Sequence, residues 1–230
     1  TNLGNFAATV GSGAVSAADL TTISTQTSGT VNATAATAIN GTASAVATAL
    51  ADTEITHSDS FAVTLTAGSA AATDLTAIDA ATSAVVDGSL ITTITGTAAA
   101  IAAAATLDAA TQTTNLGNFA ATVGAGAVNA ADLSTISART SGTVNATAAT
   151  AINGTVNAVA TALADTEITH TNTFTTTVTG AGAALELLAI NTATTKPVSA
   201  TGVTTITGTI ANVNLVLAEE GNKIVLDNDF

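Results

Sequence analysis

The chain has no cysteine, no tryptophan and no tyrosine, and only three basic residues among 230. Without cysteine there are no disulfides, no thiolate metal ligands and no cysteine nucleophile. That absence fits an extracellular protein held together by stacking. The three cations, Arg139, Lys196 and Lys223, face 16 acids, for a net charge of −13. A protein that tracks phosphates needs clustered lysine and arginine, so nucleic acid is excluded as a partner. The same imbalance argues against anionic membrane surfaces. The acids are scattered rather than blocked, which reads as solubility and self-repulsion. The most apolar run, residues 98–105, is too short and too alanine-rich to span a bilayer, and no signal-peptide pattern is present.

What is present is repetitive. Phe6, Phe61, Phe119, Phe174 and Phe230 stand 55, 58, 55 and 56 residues apart. A fixed period of this size marks a repeat architecture. The repeats run 6–60, 61–118, 119–173 and 174–229, and Phe230 opens a further one. Thr1 and that interrupted repeat predict a segment of a longer polypeptide. Residues 1–57 and 114–170 match at 50 of 57 positions, which implies duplication of a two-repeat block. Leu20, Leu75, Leu133 and Leu187 hold one position in the four repeats, and Ile23, Ile78, Ile136 and Ile190 hold the position three residues on. Ile39, Ile94, Ile152 and Ile206 hold a third, and Val46, Ile101, Val159 and Val213 a fourth. With the phenylalanines these are the expected core.

Each repeat reads as strand, helix, strand, helix. A Phe-led strand (Phe6, Ala8 and Val10 in the first copy) is followed by a glycine turn at 11–13. A helix over 16–26 opens on a capping box, Ser16 with Asp19 or Asn129 with Asp132, and ends at Ser28-Gly29. The next strand region covers 30–39; its clearest version, 85–94, is broken by a turn at Asp87-Gly88. Thr42, Thr97, Thr155 and Thr209 are expected N-caps of a second helix, which buries Ala43, Val46, Ala47 and Leu50. An offset of 26 places Ile39 opposite Leu65, so one coil takes about 26–30 residues and the chain about eight coils. The predicted fold is α/β: a right-handed parallel β/α solenoid, with a parallel sheet on one side and alanine-rich helices on the other. Strands stack about 4.8 Å apart whereas helices ordinarily pack about 8–10 Å apart, and alanine faces allow the closer helix approach. The extra residues at 111–115 predict a bulging loop. The last coil departs from the pattern, with Glu219 to Lys223 closing a helix and 224–226 forming a strand.

Candidate chemistry is sparse. His57 and His170 are one residue duplicated, without a second histidine or a cysteine nearby, and read as structural rather than metal-binding. Asp59, and Asp227 with Asp229, precede phenylalanines in oxygen-rich turns of the kind that hold Ca²⁺. The glycine-rich nonapeptide of calcium-binding β-rolls is absent, however, and Asx residues favour turns in their own right. Asp19, Asp74, Asp132 and Glu186 recur in the first turn of a helix, the favourable end of its dipole for a carboxylate. No paired carboxylates, Ser–His–acid set or phosphate loop can be assembled. Asn32, Asn40, Asn145 and Asn153 match the glycosylation acceptor pattern, as expected by chance in a threonine-rich chain. Thr9, Thr64, Thr122 and Thr177 would form one file on a stacked sheet, a geometry that can order water as ice-binding faces do, but whose commoner role is packing between coils.

Stretches such as 17–23 (AADLTTI), 73–79 (TDLTAID) and 90–97 (LITTITGT) resemble the Thr/Ala/Gly-rich repeats of giant cyanobacterial surface or secreted proteins. Similar repeats occur in marine phage structural proteins. The resemblance covers nearly the whole chain and implies an extended scaffold or adhesin-like stalk, with no catalytic residue. The expectation is therefore a non-enzymatic, extracellular or cell-surface structural segment. Its partners are neighbouring repeats of the same polypeptide, with end-to-end or lateral self-association into a homo-oligomer, no nucleic acid and no membrane span. The alternatives are a repeat-face binding module for a glycan, Ca²⁺ or ice, and a virion appendage.

Overall fold

β-branched stretches such as 91–96 become strands and alanine-rich stretches such as 98–107 helices, but small-residue stretches such as 68–71 are strand as well. The computed structural model describes residues 3–107, 113, 114, 116 and 118–227. Among them it is mixed α/β, with eight helices and strands that pair in parallel. The chain divides into two units, Thr1–Gly96 with Ala103–Phe119, and Thr97–Ala102 with Ala120–Phe230.

The first unit begins β1 (Ala8–Thr9), β2 (Gly13–Ser16), α1 (Ala17–Gln26), β3 (Val31–Asn32), β4 (Ala36–Gly41), α2 (Ala43–Ala51). It continues β5 (Ile55–Thr56), β6 (Ala62–Leu65), β7 (Gly68–Ala71), α3 (Ala72–Ala81), β8 (Val86–Asp87), β9 (Ile91–Gly96). Helix α4 (Ala98–Leu107) gives residues to both units, and β10 (Thr113–Thr114) belongs to the first. The second unit runs β11 (Ala120–Val123), β12 (Gly126–Asn129), α5 (Ala130–Ser137), β13 (Val144–Asn145), β14 (Ala149–Thr155), α6 (Val156–Ala164). Then come β15 (Ile168–Thr169), β16 (Thr176–Ala183), α7 (Ala184–Ala193), β17 (Val198–Thr207), α8 (Ile210–Ala218) and β18 (Ile224–Leu226). The anticipated loop at 111–115 lies partly outside the described residues; Thr113 and Thr114 are strand and pair with Val86 and Asp87.

Successive helices are joined mostly by two or three short strands, where the sequence pattern implies one. A corner separates the strands, and its chemistry is local. The Asn32 side-chain oxygen accepts the Thr34 N–H at 3.0 Å and its hydroxyl at 2.7 Å, while Ala36 N–H closes a turn on Ala33 O at 3.0 Å. Asn145 repeats this geometry with Thr147. Asp87 accepts the Ser89 N–H at 3.0 Å, and Asp52 and Asp165 accept Glu54 and Glu167 N–H, both at 2.9 Å. These are Asx turns, in which the side chain replaces a backbone acceptor.

In the first unit β1, β3 and β5 form one parallel sheet, β2, β4, β6, β8 and β10 a second, and β7 pairs with β9. Ile39 sits opposite Val15 on one side and Val63 on the other, so the register is 24 residues rather than 26, and Leu65 faces Gly41. The difference from the expected offset has a definite cause. Two coils at a register of 24 use 48 of the 55 residues between Phe6 and Phe61. The remaining seven make an additional strand and turn that carry the chain one sheet sideways. Strand β5 completes the first sheet, β6 joins the second and β7 opens the next. In the second unit one continuous strand, β16, takes the place of β6 and β7: Val178 pairs with Gly154 of β14 and Ala181 with Thr205 of β17, all within one five-stranded sheet. The turn that admits the second strand of each step carries glycine at φ +122° (Gly13), +137° (Gly68) and +128° (Gly126), each followed by a bulge. A side chain at such φ is strained.

This sideways step removes the single threonine file. Thr9 pairs with Asn32 in one sheet, and Thr64 pairs with Asn40 and Asp87 in another. In the second unit Thr122 pairs with Asn145 and Thr177 with Ser199, again in separate sheets. The flat threonine face expected from the repeat is not built.

Six of the eight described helices start on a threonine, serine or asparagine cap, whereas α3 and α7 follow Ala71 and Ala183. Thr42, Thr97, Thr155 and Thr209 hydroxyls accept the N–H of Ala45, Ala100, Ala158 and Asn212 at 3.1–3.3 Å. Ser16 accepts the Asp19 N–H and Asn129 the Ala131 N–H. Helix α2 buries Ala43, Val46 and Ala49, whereas Ala47 and Leu50, expected in the core stripe, are half-buried. The helix is wedged between α1 and α3, so its flanks are covered by helices as well as its face by strands. In the second unit α5, α6, α7 and α8 pack in succession. Gly29 does not end α1 in the left-handed region. It lets the chain pass Phe6, whose carbonyl oxygen would lie 2.3 Å from a Cβ placed there.

Candidate functional site

Phe61, Phe119 and Phe174 are 1% exposed, and Phe6 is 40% exposed. Phe230 lies outside the described residues. Leu20, Leu75, Leu133 and Leu187 are buried. What fixes each phenylalanine is a threonine that the sequence does not single out. The Thr27 hydroxyl donates to the Phe6 carbonyl, and Thr82 and Thr194 donate to Phe61 and Phe174 carbonyls. Each hydroxyl also accepts the N–H two residues on: Gly29 at 2.9 Å, Ala84 at 3.1 Å and Lys196 at 3.1 Å. All three threonines are buried. Each sits just after its helix in extended conformation, where the chain turns back toward the sheet. The hydroxyl satisfies two backbone groups that would otherwise be desolvated without partners. Threonine is so common here that its position carries no signal until repeats are aligned on helix ends.

The histidines belong to the same assembly. His57 packs its ring edge-on to Phe61, with centroids 5.1 Å apart at 78°, and His170 packs on Phe174 at 5.5 Å and 89°. Each Nδ1 donates to the next residue's carbonyl, Ser58 at 3.0 Å and Thr171 at 2.8 Å. A ring edge toward a ring face is the favourable aromatic geometry.

A second recurring position links a helix end to the following corner. Glu54, Glu167 and Lys223 occupy it, each giving its carbonyl to the first strand of the coil before: Val31, Val144 and Val198. Glu54 accepts the Ser24 hydroxyl at 3.4 Å. Ser137 donates to Asp165 at 2.7 Å and lies 3.2 Å from Glu167. Lys223 instead places its ammonium on the carbonyls of Asn191 (2.7 Å) and Thr194 (2.9 Å), at the C-terminus of α7. That end of a helix has free carbonyls and a partial negative charge, so a cation suits it. These groups anchor helix ends to corners. The Asn191 side-chain oxygen is buried without a hydrogen-bond partner.

The remaining candidates are engaged locally or stand apart. Asp59 is exposed, and its backbone carbonyl accepts the Ser83 N–H at 2.7 Å and hydroxyl at 2.8 Å. Its neighbourhood is a shallow depression shared with Asp79 and Ser83. Asp227 is exposed, and Asp229 lies outside the described residues. Among the described residues no group of three or more His, Cys, Asp or Glu is placed to hold a metal. Asn40 and Asn153 bridge coils through the N–H of Thr64 (3.1 Å) and Thr177 (2.8 Å). Glu186 accepts the Ala183 N–H at 3.0 Å and the Asn157 amide at 3.0 Å, and these bonds, the backbone one first, hold its carboxyl below the usual range. Asp87 is lowered in the same way by the Ser89 N–H and then by its hydroxyl. No described helix is long and apolar enough to cross a membrane. The chain matches no family model, no curated protein and no solved structure.

Proposed function

We propose that this chain is a non-catalytic structural repeat segment, an extended stalk, filament or surface-layer scaffold of a larger extracellular or cell-surface protein. In this reading each unit is a stretch of right-handed parallel β/α solenoid, about eight coils in all when counted by helices. The observation that carries it is the recurrence of one contact, phenylalanine carbonyl to post-helical threonine, at Phe6/Thr27, Phe61/Thr82 and Phe174/Thr194. A contact reused in this way lets length grow by duplication without new design, because each repeat packs on its neighbours. The polar side chains that recur with the repeat are engaged in turns, caps and corner anchors, which also supports a scaffold role.

The test is a register-preserving deletion. Removing residues 61–173 joins Ser60 to Phe174, the counterpart of Phe61. The shortened chain is expected to fold with an unchanged helix-to-strand ratio by circular dichroism and a lower, still cooperative, melting temperature. An unfolded product would overturn the modular scaffold. A saturable rise in melting temperature with Ca²⁺, or binding on a glycan array, would move the reading to a repeat-face binding module.

A further inference from the structure

The end of the second unit is an incomplete coil-to-coil interface, and its side chains specify what covers it. Ile210, the first residue of α8, is 83% exposed, and Ile206 and Val213 are also uncovered in part. Their repeat counterparts are closed: Ile39, Ile152, Val46 and Val159 are 0% exposed, Ala43 is 1% and Val156 0%. In those interior coils the cover is the next Phe-led strand, the strand after it and the next helix. Strand β6 lies on β4 and α3 on α2 in the first unit; β16 lies on β14 and α7 on α6 in the second.

The fit at the Ile210 position is governed by size. In the second unit Val156 fills it, and the residue facing it in the next coil is Gly182. A Cβ on Gly182 would lie 2.4 Å from two carbons of Val156, so only glycine fits. In the first unit the same two positions are Ala43 and Ala70, both buried. At a third occurrence of the two positions, Ala98 and Val128, alanine goes with valine and both are buried; the glycine accompanies the one case in which the helix begins with valine. Isoleucine at 210 is larger than valine at its Cδ1 and demands glycine opposite.

We infer that the β17/α8 face is a docking surface for a further coil of this repeat type, following Phe230 in the same polypeptide and carrying glycine at the counterpart of Gly182. The other homotypic occupant, the first coil of a second copy, presents Val15 at that place. Valine against isoleucine is bulkier than any of the three interior pairs, and at Val156 even a methyl group opposite is excluded. The inference rests on the scaffold reading and adds a rule of repeat order to it: which coil follows which is set by the pair at these two positions.

The experiment extends the full chain. Residues 175–230 are appended after Phe230, which then stands in for Phe174, so the added coil brings glycine to Ile210. A parallel version carries valine at the added counterpart of Gly182, and a third combines that valine with Ile210→Ala. The glycine extension is expected to raise the melting temperature and to protect the α8 amides from hydrogen exchange. The valine version is expected to lose both effects, and Ile210→Ala to restore them. Equal protection by the glycine and valine extensions would overturn the size rule while leaving the scaffold reading intact. Sedimentation of the unextended protein supplies the other arm. Concentration-dependent oligomers abolished by both Phe6→Asp and Ile210→Lys would make a second copy the occupant and overturn the inference. A monomer at all concentrations supports it. In the parent chain, Gly182→Ala is expected to destabilise, and Val156→Ala to rescue it; failure of that rescue counts against the size rule independently.

Discussion

Replacing Phe61 and Phe6 in parallel separates burial from residue type. Both open a repeat, and both give their carbonyl to a threonine, but Phe61 is 1% exposed and Phe6 40%. Truncating a closed-in phenylalanine to alanine removes its transfer free energy and leaves a cavity, about 3–5 kcal/mol in all. Part of that in Phe61→Ala is the edge contact with His57 at 5.1 Å, a kind of pair worth about 0.5–1.5 kcal/mol. Phe6→Ala opens no closed cavity, so only partial transfer is lost, about 1–2 kcal/mol. For a chain of this size a loss of 1 kcal/mol lowers the melting temperature by about 2–4 °C, so Phe61→Ala is expected to fall by roughly 6–20 °C. Urea unfolding followed by far-ultraviolet circular dichroism measures both variants, with the midpoint and slope read separately. A broader transition is expected for Phe61→Ala, because a weakened interior coil uncouples its neighbours. If Phe61→Ala proves no more damaging than Phe6→Ala, the ring does not close a core and the stacked-coil account fails.

Three further outcomes follow from single contacts. Thr82→Val keeps the shape but removes the hydroxyl shared by the Phe61 carbonyl and the Ala84 N–H; leaving such buried groups unsatisfied is expected to cost about 1–3 kcal/mol in urea unfolding. Lys223→Met removes the charged donor from the Asn191 and Thr194 carbonyls, with an expected loss of about 1.5–3 kcal/mol and faster amide exchange in the last turn of α7. Acid is expected to weaken the fold in part through Asp87 and Glu186, whose folded carboxyls lie below their usual range. A depressed carboxyl contributes stability that is complete above its unfolded value and is lost as pH falls through the folded one. The urea midpoint should therefore drop as pH falls through and below the usual carboxylate range, and Asp87→Asn with Glu186→Gln should flatten that slope. An unchanged slope in the double variant would remove these two groups from the acid response.

The sequence carries the period, the helix caps and the corners, because each depends on residues close along the chain. Thr42 and Thr155 sit one residue before an alanine- or valine-led helix, and Asp87-Gly88 interrupts a β-branched run; both features need only local hydrogen bonds. The number of strands between helices is not legible, since strands such as β3 and β5 are two residues long and too short to alternate. The register of 24 is equally hidden. It is set by which strand edge the chain meets after a full coil, and a 55-residue period divides naturally into two equal halves until the additional strand is seen. The threonines that donate to the phenylalanine carbonyls are hidden by composition, and the role of Gly29 is not legible because a helix-ending glycine and a close-approach glycine look the same in sequence.

That additional strand explains why there is one phenylalanine per two coils and not one per coil. A coil with two strands returns to the edge it left, and alanine, valine and isoleucine fill the narrow space. The coil that steps sideways must leave a completed sheet and join the next. Phe61 and Phe174 stand there, just before β6 and β16, with a histidine edge-on and a threonine closing the backbone. The ring and the hydroxyl thus stand together at the step, and at Phe61 and Phe174 an imidazole joins them. A repeat that lost the step would have no use for the phenylalanine. Deleting β7 with the turn before it (residues 66–71) together with Phe61→Val should accordingly be tolerated better than either change alone, by the measure of the urea midpoint. If the combined variant is instead the least stable of the three, the phenylalanine serves the coil itself and not the step.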